Sequence, residues 1–143
     1  MPFDPEEIQQ SVLLWVDRLH RVAPSPATHV PPMIAGHQGH LDFAAPFYRV
    51  MPEWLTFEAW ERNKQILDRH TTSPDELFYW IVDHVARQIA LDTVHLHRSR
   101  PPALDARRIW FPEWHRLVGA VHPEWGSRTL AQINGILAVY PFH

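Results

Sequence analysis

Eleven histidines are the residues of this 143-residue chain that most directly suggest metal chemistry. His37 and His40 flank a Gln-Gly turn, and His95 and His97 lie two residues apart near Asp92. Imidazole and carboxylate groups are common zinc ligands, so a mononuclear site can be drawn from these residues. The spacing is not specific, because side chains four residues apart share a helix face and side chains two apart do not. Scattered surface or hydrogen-bonded histidines are the better interpretation, and we expect neither a bound metal nor another cofactor.

The usual signatures of other catalytic sites are missing from the sequence. No serine lies in a Gly-x-Ser-x-Gly elbow, there is no cysteine, and the five glycines form no phosphate-binding loop. Glu58 could pair with Glu61 or Asp68 for acid-base chemistry, but any acidic protein offers such pairs. We therefore predict a protein that is not an enzyme. The alternative is a metal-dependent hydrolase or metal-binding domain that uses the histidines.

Tryptophan and arginine give the stronger signal. In an alternating strand, Trp54, Glu58, Trp60 and Arg62 share one face. Exposed aromatic and arginine side chains are typical anchors of protein–protein interfaces, so these four residues are the candidate partner-binding site. The competing interpretation is that helices cover this face and that both tryptophans belong to the core, since tryptophan is highly buried on average.

Two strands and a helix must position this face. The segment from Leu55 to Trp60 alternates apolar and polar residues, and Asn63-Lys64 is a plausible hairpin turn before a return strand over 65–70. Such a turn would pair Glu58 with Arg69 and Trp60 with Leu67. Directly afterwards Ser73, Pro74 and Glu76 form the start signal of a long amphipathic helix.

The remaining elements follow from caps and periodicity. Asp4-Pro5 begins a first amphipathic helix that ends before Pro24, and prolines then make a stiff connector. Short strands are expected at 33–35, 41–43 and 47–51. Asp105 can cap a third helix through Arg108, which Pro112 must kink or divide, and Pro123 begins a fourth. We predict an α+β fold: an N-terminal helix, a small antiparallel meander of three to five strands, and three C-terminal helices packed on the sheet.

Length and composition place limits on the class of protein. A chain of this length fits a single domain over residues 1–143, in which residues 1–44 form the first helix and the proline-rich connector. The net charge of −3 is too small to indicate nucleic-acid binding. There is neither a membrane-length apolar run nor a secretion signal, so we expect a cytoplasmic protein without membrane contact. An exposed sheet edge could support a homodimer.

Several motifs occur in a recognisable order over about residues 45 to 143: Glu61-Arg62, Thr71-Thr72, Asp75-Glu76-Leu77, Tyr79-Trp80-Ile81, Asp105-Ala106-Arg107-Arg108 with Phe111, and Pro141-Phe142. In sequence and spacing the chain resembles the immunity protein 63 family of bacterial polymorphic toxin systems. The family has glycine after the Glu-Arg pair, where this chain has Asn63, a residue that tolerates left-handed backbone.

The resemblance implies a small cytoplasmic protein, encoded beside a toxin, that protects the producing cell by binding that toxin. Such a protein needs no catalysis, which agrees with the missing catalytic signatures. For Asp105, Arg107 and Arg108 we favour a structural role, a cap and internal ion pairs, over toxin binding. Tyr79 and Trp80 are expected to be packing residues.

Overall fold

A computed structural model describes residues 2–23, 46–62, 64–94 and 104–143. In chain order its elements are α1 (Pro5–Val22), β1 (Phe47–Val50), β2 (Leu55–Glu61), β3 (Lys64–Thr71), α2 (Pro74–Thr93), α3 (Arg107–Val121) and α4 (Pro123–Val139). The predicted α+β class and order of elements are confirmed. The strands expected at 33–35 and 41–43 lie outside the described residues. No helix in the described ranges combines the length and apolar character that crossing a membrane requires.

The chain divides into two compact units. The first comprises the described residues of Met1–Val16 and Val30–Ile81, and the second those of Asp17–His29 and Val82–His143. Both α1 and α2 contribute residues to each unit. A single domain over 1–143 stays a prediction.

The first unit contains the sheet, the start of α1 and the start of α2. The Asp4 carboxylate accepts a hydrogen bond from the Glu6 N–H at 3.0 Å, so α1 begins where the sequence predicts. Apolar side chains from all three parts of this unit are buried, and they form its core. They are Ile8, Val12, Val16, Phe47, Tyr48, Leu55, Phe57, Ala59, Leu77, Phe78, Tyr79 and Ile81.

The three described strands form an antiparallel meander in the order β1-β2-β3. The predicted register of the hairpin is wrong: Glu58 lies opposite Asp68 rather than Arg69, and Trp60 lies opposite Gln65 rather than Leu67. Two features of the hairpin account for the difference. The pair Glu61–Lys64 closes the hairpin one residue earlier than predicted, and the register shifts between Ala59 and Trp60.

The shift is a β-bulge in β3. Leu67 pairs with Ala59 and Gln65 pairs with Trp60, so Ile66 is the extra residue of the bulge. A slip of one residue moves every side chain of a strand to the other face. Asp68 therefore shares the face of Glu58, where the predicted register had placed Arg69.

Helix α2 begins with the predicted cap. The Ser73 hydroxyl accepts from the Glu76 N–H at 3.4 Å, and Pro74 is the first helical residue. The Ser73 N–H donates to the Thr71 hydroxyl at 3.0 Å. The cap thus ties the first turn of α2 to the end of β3.

A buried carboxylate holds the core of the second unit together. Asp83 on α2 accepts hydrogen bonds from Trp114 Nε1 at 2.9 Å, Thr129 Oγ1 at 2.6 Å and Gln132 Nε2 at 3.0 Å. One helical turn after Asp83, the Arg87 guanidinium lies 5.6 Å from the ring centre of Trp114. A single face of α2 is thereby bonded to both α3 and α4.

Helices α3 and α4 are joined through one residue, His122, whose Nδ1 accepts from the Trp125 N–H at 3.4 Å. Pro112 lies inside α3 without dividing it, so a division there is not observed. The helices approach closely at two glycines. A Cβ atom on Gly126 would lie 2.5 Å from the Cα of Gly119, so the backbone of α4 touches that of α3.

Candidate partner-binding site

One face of the sheet forms a concave pocket of about 290 Å³. The side chains of β2 and its approach alternate along its centre, β1 closes one side, and β3 closes the other. The lining residues are Arg49, Met51, Trp54, Thr56, Glu58, Trp60, Gln65, Asp68 and His70. We call this set the sheet pocket. Three of the four residues predicted to bind a partner, Trp54, Glu58 and Trp60, lie in it together.

Trp54 and Trp60 lie at opposite ends of the alternating row of lining residues that β2 and its approach supply. Trp54 is 42% exposed and Trp60 is half-buried, so the alternative that both belong to the core is wrong. The Trp54 ring lies 6.4 Å from the His70 ring between centroids. An exposed tryptophan beside polar groups presents apolar area and an N–H donor to a partner.

Glu58 forms the floor of the sheet pocket and is 5% exposed. Its Oε2 accepts from Thr56 Oγ1 at 2.6 Å, and its Oε1 accepts from Gln65 Nε2 at 3.1 Å. Arg49 Nη1 lies 3.7 Å from Oε2, which is an ion pair but longer than a hydrogen bond. The hydrogen bonds that hold this buried carboxylate therefore come from neutral donors.

The β3 side of the sheet pocket was not predicted from the sequence. Asp68 and His70 lie directly opposite Glu58 and Thr56, and Asp68 Oδ1 is hydrogen-bonded to His70 Nε2. The bulge at Ile66 brings Asp68 and His70 onto the face that Gln65 shares with Glu58, and bulges commonly re-aim side chains in this way. Because the predicted register had no bulge, it placed Asp68 and His70 on the other face.

Arg62 lies outside the sheet pocket. It follows β2 in the turn, is exposed, and has a φ of 50°, in the left-handed region that non-glycine residues adopt infrequently. The predicted turn at Asn63-Lys64 is therefore displaced by one residue, since Lys64 already pairs with Glu61. A contact between Arg62 and a partner stays a prediction.

At the start of α3 the ion pair that we favoured is present between Asp105 and Arg107, but the predicted cap is wrong: the N-cap residue is Ala106, and it has no side-chain cap hydrogen bond. Asp105 Oδ1 accepts from the Arg107 N–H at 3.0 Å, one residue earlier than the predicted cap at Arg108. Arg107 Nη2 also donates to Asp105 Oδ2 at 2.6 Å, and this hydrogen bond holds the pKa of the Asp105 carboxyl well below its ordinary value of 3.8.

The Arg107 guanidinium also binds the residues that follow α4. Arg107 Nη1 donates to the Tyr140 carbonyl at 2.6 Å and Nη2 to the Pro141 carbonyl at 2.9 Å. The ring of Phe142 lies below Arg108, 4.5 Å from its guanidinium carbon. Asp105 and Arg107 therefore clamp the residues that follow α4.

The described residues contain no group of three or more histidine, aspartate or glutamate side chains arranged to hold a metal ion. His37, His40, His95 and His97, from which a metal site was drawn, lie outside the described residues. Of that set, Asp92 alone is described.

A sequence model of the family described as immunity protein 63 matches residues 55–135, which is more than half of the chain. That range contains β2, β3, α2 and α3 in full. Neither the curated proteins nor the solved structures gave a match.

Proposed function

The chain belongs to the immunity protein 63 family, and we propose on that basis that it binds a cognate bacterial toxin and neutralises it by stoichiometric occlusion. It would act in the cytoplasm of the cell that produces the toxin. Occlusion requires a preorganised surface with a few well-placed anchors, and it requires no catalysis by the protein that binds.

The observation that carries the location of the interface is the sheet pocket. It combines two accessible tryptophans with carboxylate groups, and tryptophan is one of the residue types that dominate interface energetics. The match to the family includes β2 and β3, which supply most of its lining. We propose that Trp54, Glu58 and Trp60 contact the toxin directly and that Arg62 contacts it beyond the end of β2.

The first experiment expresses the product of the adjacent gene with and without this chain. We expect that product to arrest growth when expressed alone, growth to be restored when this chain is present, and the two proteins to co-purify one to one. A harmless neighbour that forms no complex would contradict the proposed function.

Replacing Trp60 with alanine tests where the toxin binds. Truncating a tryptophan anchor of an interface should weaken binding by at least about 2 kcal/mol, or roughly thirtyfold in Kd. Isothermal titration against the purified toxin measures this loss, after circular dichroism has verified that the variant is folded. Tyr140→Ala is the matched control, because Tyr140 is an aromatic residue that is 69% exposed and lies outside the sheet pocket. Equal affinity of the Trp60→Ala variant and the wild type would remove Trp60 from the interface.

A further inference from the structure

We infer that the sheet pocket receives one basic side chain of the toxin, whose cationic group lies between the carboxylates of Glu58 and Asp68. This inference rests on the proposed function and adds the chemistry of the contact to it. Arginine is the side chain that fits the pocket best.

The arrangement of charge is the first reason. Glu58 and Asp68 are direct neighbours across β2 and β3, and like charges in that position destabilise a sheet. Arg49 is the single arginine or lysine that lines the sheet pocket, and it faces two carboxylates, those of Glu58 and Asp68. A cation on the β3 side of Glu58 would relieve the repulsion between the two carboxylates.

Both carboxylates have capacity left for such a cation. Each oxygen of Glu58 accepts one hydrogen bond from a neutral side chain, and a carboxylate offers about four acceptor positions. The Asp68 side chain is 50% exposed, and its hydrogen bond to His70 engages Oδ1. An incoming cationic group can therefore contact the exposed Asp68 carboxylate at the pocket wall and the Glu58 carboxylate at the pocket floor.

The aromatic walls favour arginine over lysine. A guanidinium group can stack on an indole ring and bond two carboxylates at once, because it is planar and carries five N–H donors. Elsewhere in the same unit this protein already places arginine over tryptophan, with Arg69 5.7 Å from the ring centre of Trp80. A volume of about 290 Å³ is near the lower limit of ligand pockets, roughly 300–1,000 Å³, and suits one side chain.

The test uses the purified complex of this chain with the toxin. Asp68→Asn removes a charge without changing shape, and we expect it to raise Kd at least about tenfold. Glu61→Gln is the matched control, because Glu61 is an exposed carboxylate on β2 that does not line the sheet pocket. We expect this control to change Kd less than about twofold.

Arg49→Gln separates a basic occupant from an acidic one. If the occupant is basic, loss of the Arg49 charge makes the sheet pocket more negative, and binding should be unchanged or tighter. An acidic occupant would lose affinity in Arg49→Gln and gain it in Asp68→Asn, which would overturn the inference. The inference would also be overturned if Arg49→Gln and Asp68→Asn both bound the toxin with the affinity of the wild type.

Exchange of each toxin arginine and lysine for glutamine identifies the occupant. One of these exchanges should raise the Kd for the wild-type chain. The same exchange should not raise the Kd further for the Asp68→Asn variant, and a double-mutant cycle detects this coupling. Sedimentation of this chain alone tests a second copy as occupant. A dimer that Trp60→Ala dissociates would contradict the inference.

The two proposals fail in different ways. If the wild-type chain neither protects nor binds, the immunity function fails and the basic occupant fails with it. If the wild type protects but charge changes at Asp68 have no effect, the inference is wrong and the immunity function stands.

Discussion

At the scale of single residues, Asp83 shows how one carboxylate organises a helical unit. It is 7% exposed and receives three neutral donors from α3 and α4. This role could not be predicted from the sequence, because Asp83 comes directly after the apolar residues Ile81 and Val82 and belongs to no recognisable motif. Its partners lie 31 to 49 residues away along the chain, at a distance that helix periodicity does not address.

We predict that Asp83→Ala lowers the free energy of unfolding by about 2–4 kcal/mol, because buried donors, Trp114 Nε1 among them, lose a charged acceptor. Asp83→Asn should cost less, since its amide oxygen can still accept from Trp114 and Thr129. Urea unfolding followed by circular dichroism measures both changes. Asp17→Ala is the control: Asp17 pairs with Arg21 at the surface and should contribute at most about 1 kcal/mol. Equal stability of Asp83→Ala and Asp17→Ala would exclude the role assigned to Asp83.

The candidate site was predictable on one strand and not on its neighbour. Trp54, Glu58 and Trp60 belong to one alternating segment, so period-2 spacing places them together whatever β3 does. Asp68 and His70 depend on the register of β3, and a bulge sets that register. Nothing in the residues around Ile66 indicated that the strand carries an extra residue.

At the scale of elements, caps were predictable and contacts between helices were not. Asp4, Ser73 and Pro123 mark the starts of α1, α2 and α4 by local chemistry, which a sequence displays directly. The close approach of α3 and α4 depends on Gly126 lying over Gly119. A glycine inside a helix gives no sequence signal for what it touches.

Gly126→Ala should destabilise the protein by about 2 kcal/mol, because the new methyl group would overlap the backbone of α3 and force the helices apart. Gly135→Ala is the matched control in the same helix, where no atom lies within 4 Å of the new Cβ. In that control the free energy of unfolding should rise by about 0.5–1 kcal/mol, because alanine has a higher helix propensity than glycine. Thermal unfolding measures both, and a Gly126→Ala variant as stable as Gly135→Ala would contradict the described crossing.

The clamp between the start of α3 and the end of the chain makes stability depend on pH. The pKa of Asp105 is lower in the folded protein than its ordinary 3.8, so the unfolded chain binds this proton first as the pH falls. The contribution of Asp105 is therefore complete above about pH 4–5 and is lost progressively at lower pH.

Comparison of the wild type with Asp105→Asn isolates this contribution. The difference in unfolding free energy between the two should be constant near neutral pH and should shrink below about pH 4, where the unfolded wild type becomes protonated. Urea titrations at a series of pH values measure it. A difference that stays constant down to the acid limit would show that Asp105 stabilises by shape rather than by charge.

At the scale of the whole molecule, the α+β class and the order of elements followed from composition and periodicity. Short local patterns define each element, and their order is fixed by the chain itself. The resemblance to immunity protein 63 agreed with the match over residues 55–135. The surface proposed to recognise the toxin is assembled from side chains of three strands, so no single segment of the sequence displays it.

The eleven histidines raise the question whether the protein binds a transition metal. We expect protein purified without a histidine tag to retain below about a tenth of an equivalent of transition metal, since the sequence spacing is not that of a specific site. Elemental analysis after extensive dialysis against metal-free buffer provides the measurement. A stoichiometric metal that Asp92→Ala or His95→Ala abolishes would favour the alternative of a metal-binding domain.

The exposure of Trp54 has an optical consequence. All seven tryptophans lie in the described parts of the chain, and Trp54 is the one among them that is exposed rather than buried or half-buried. A neutral soluble quencher such as acrylamide should therefore reach the emission of Trp54 before that of the other tryptophans. A partner that fills the sheet pocket would shield this emission and shift it to shorter wavelengths, so the unlabelled protein carries its own fluorescent signal of occupancy.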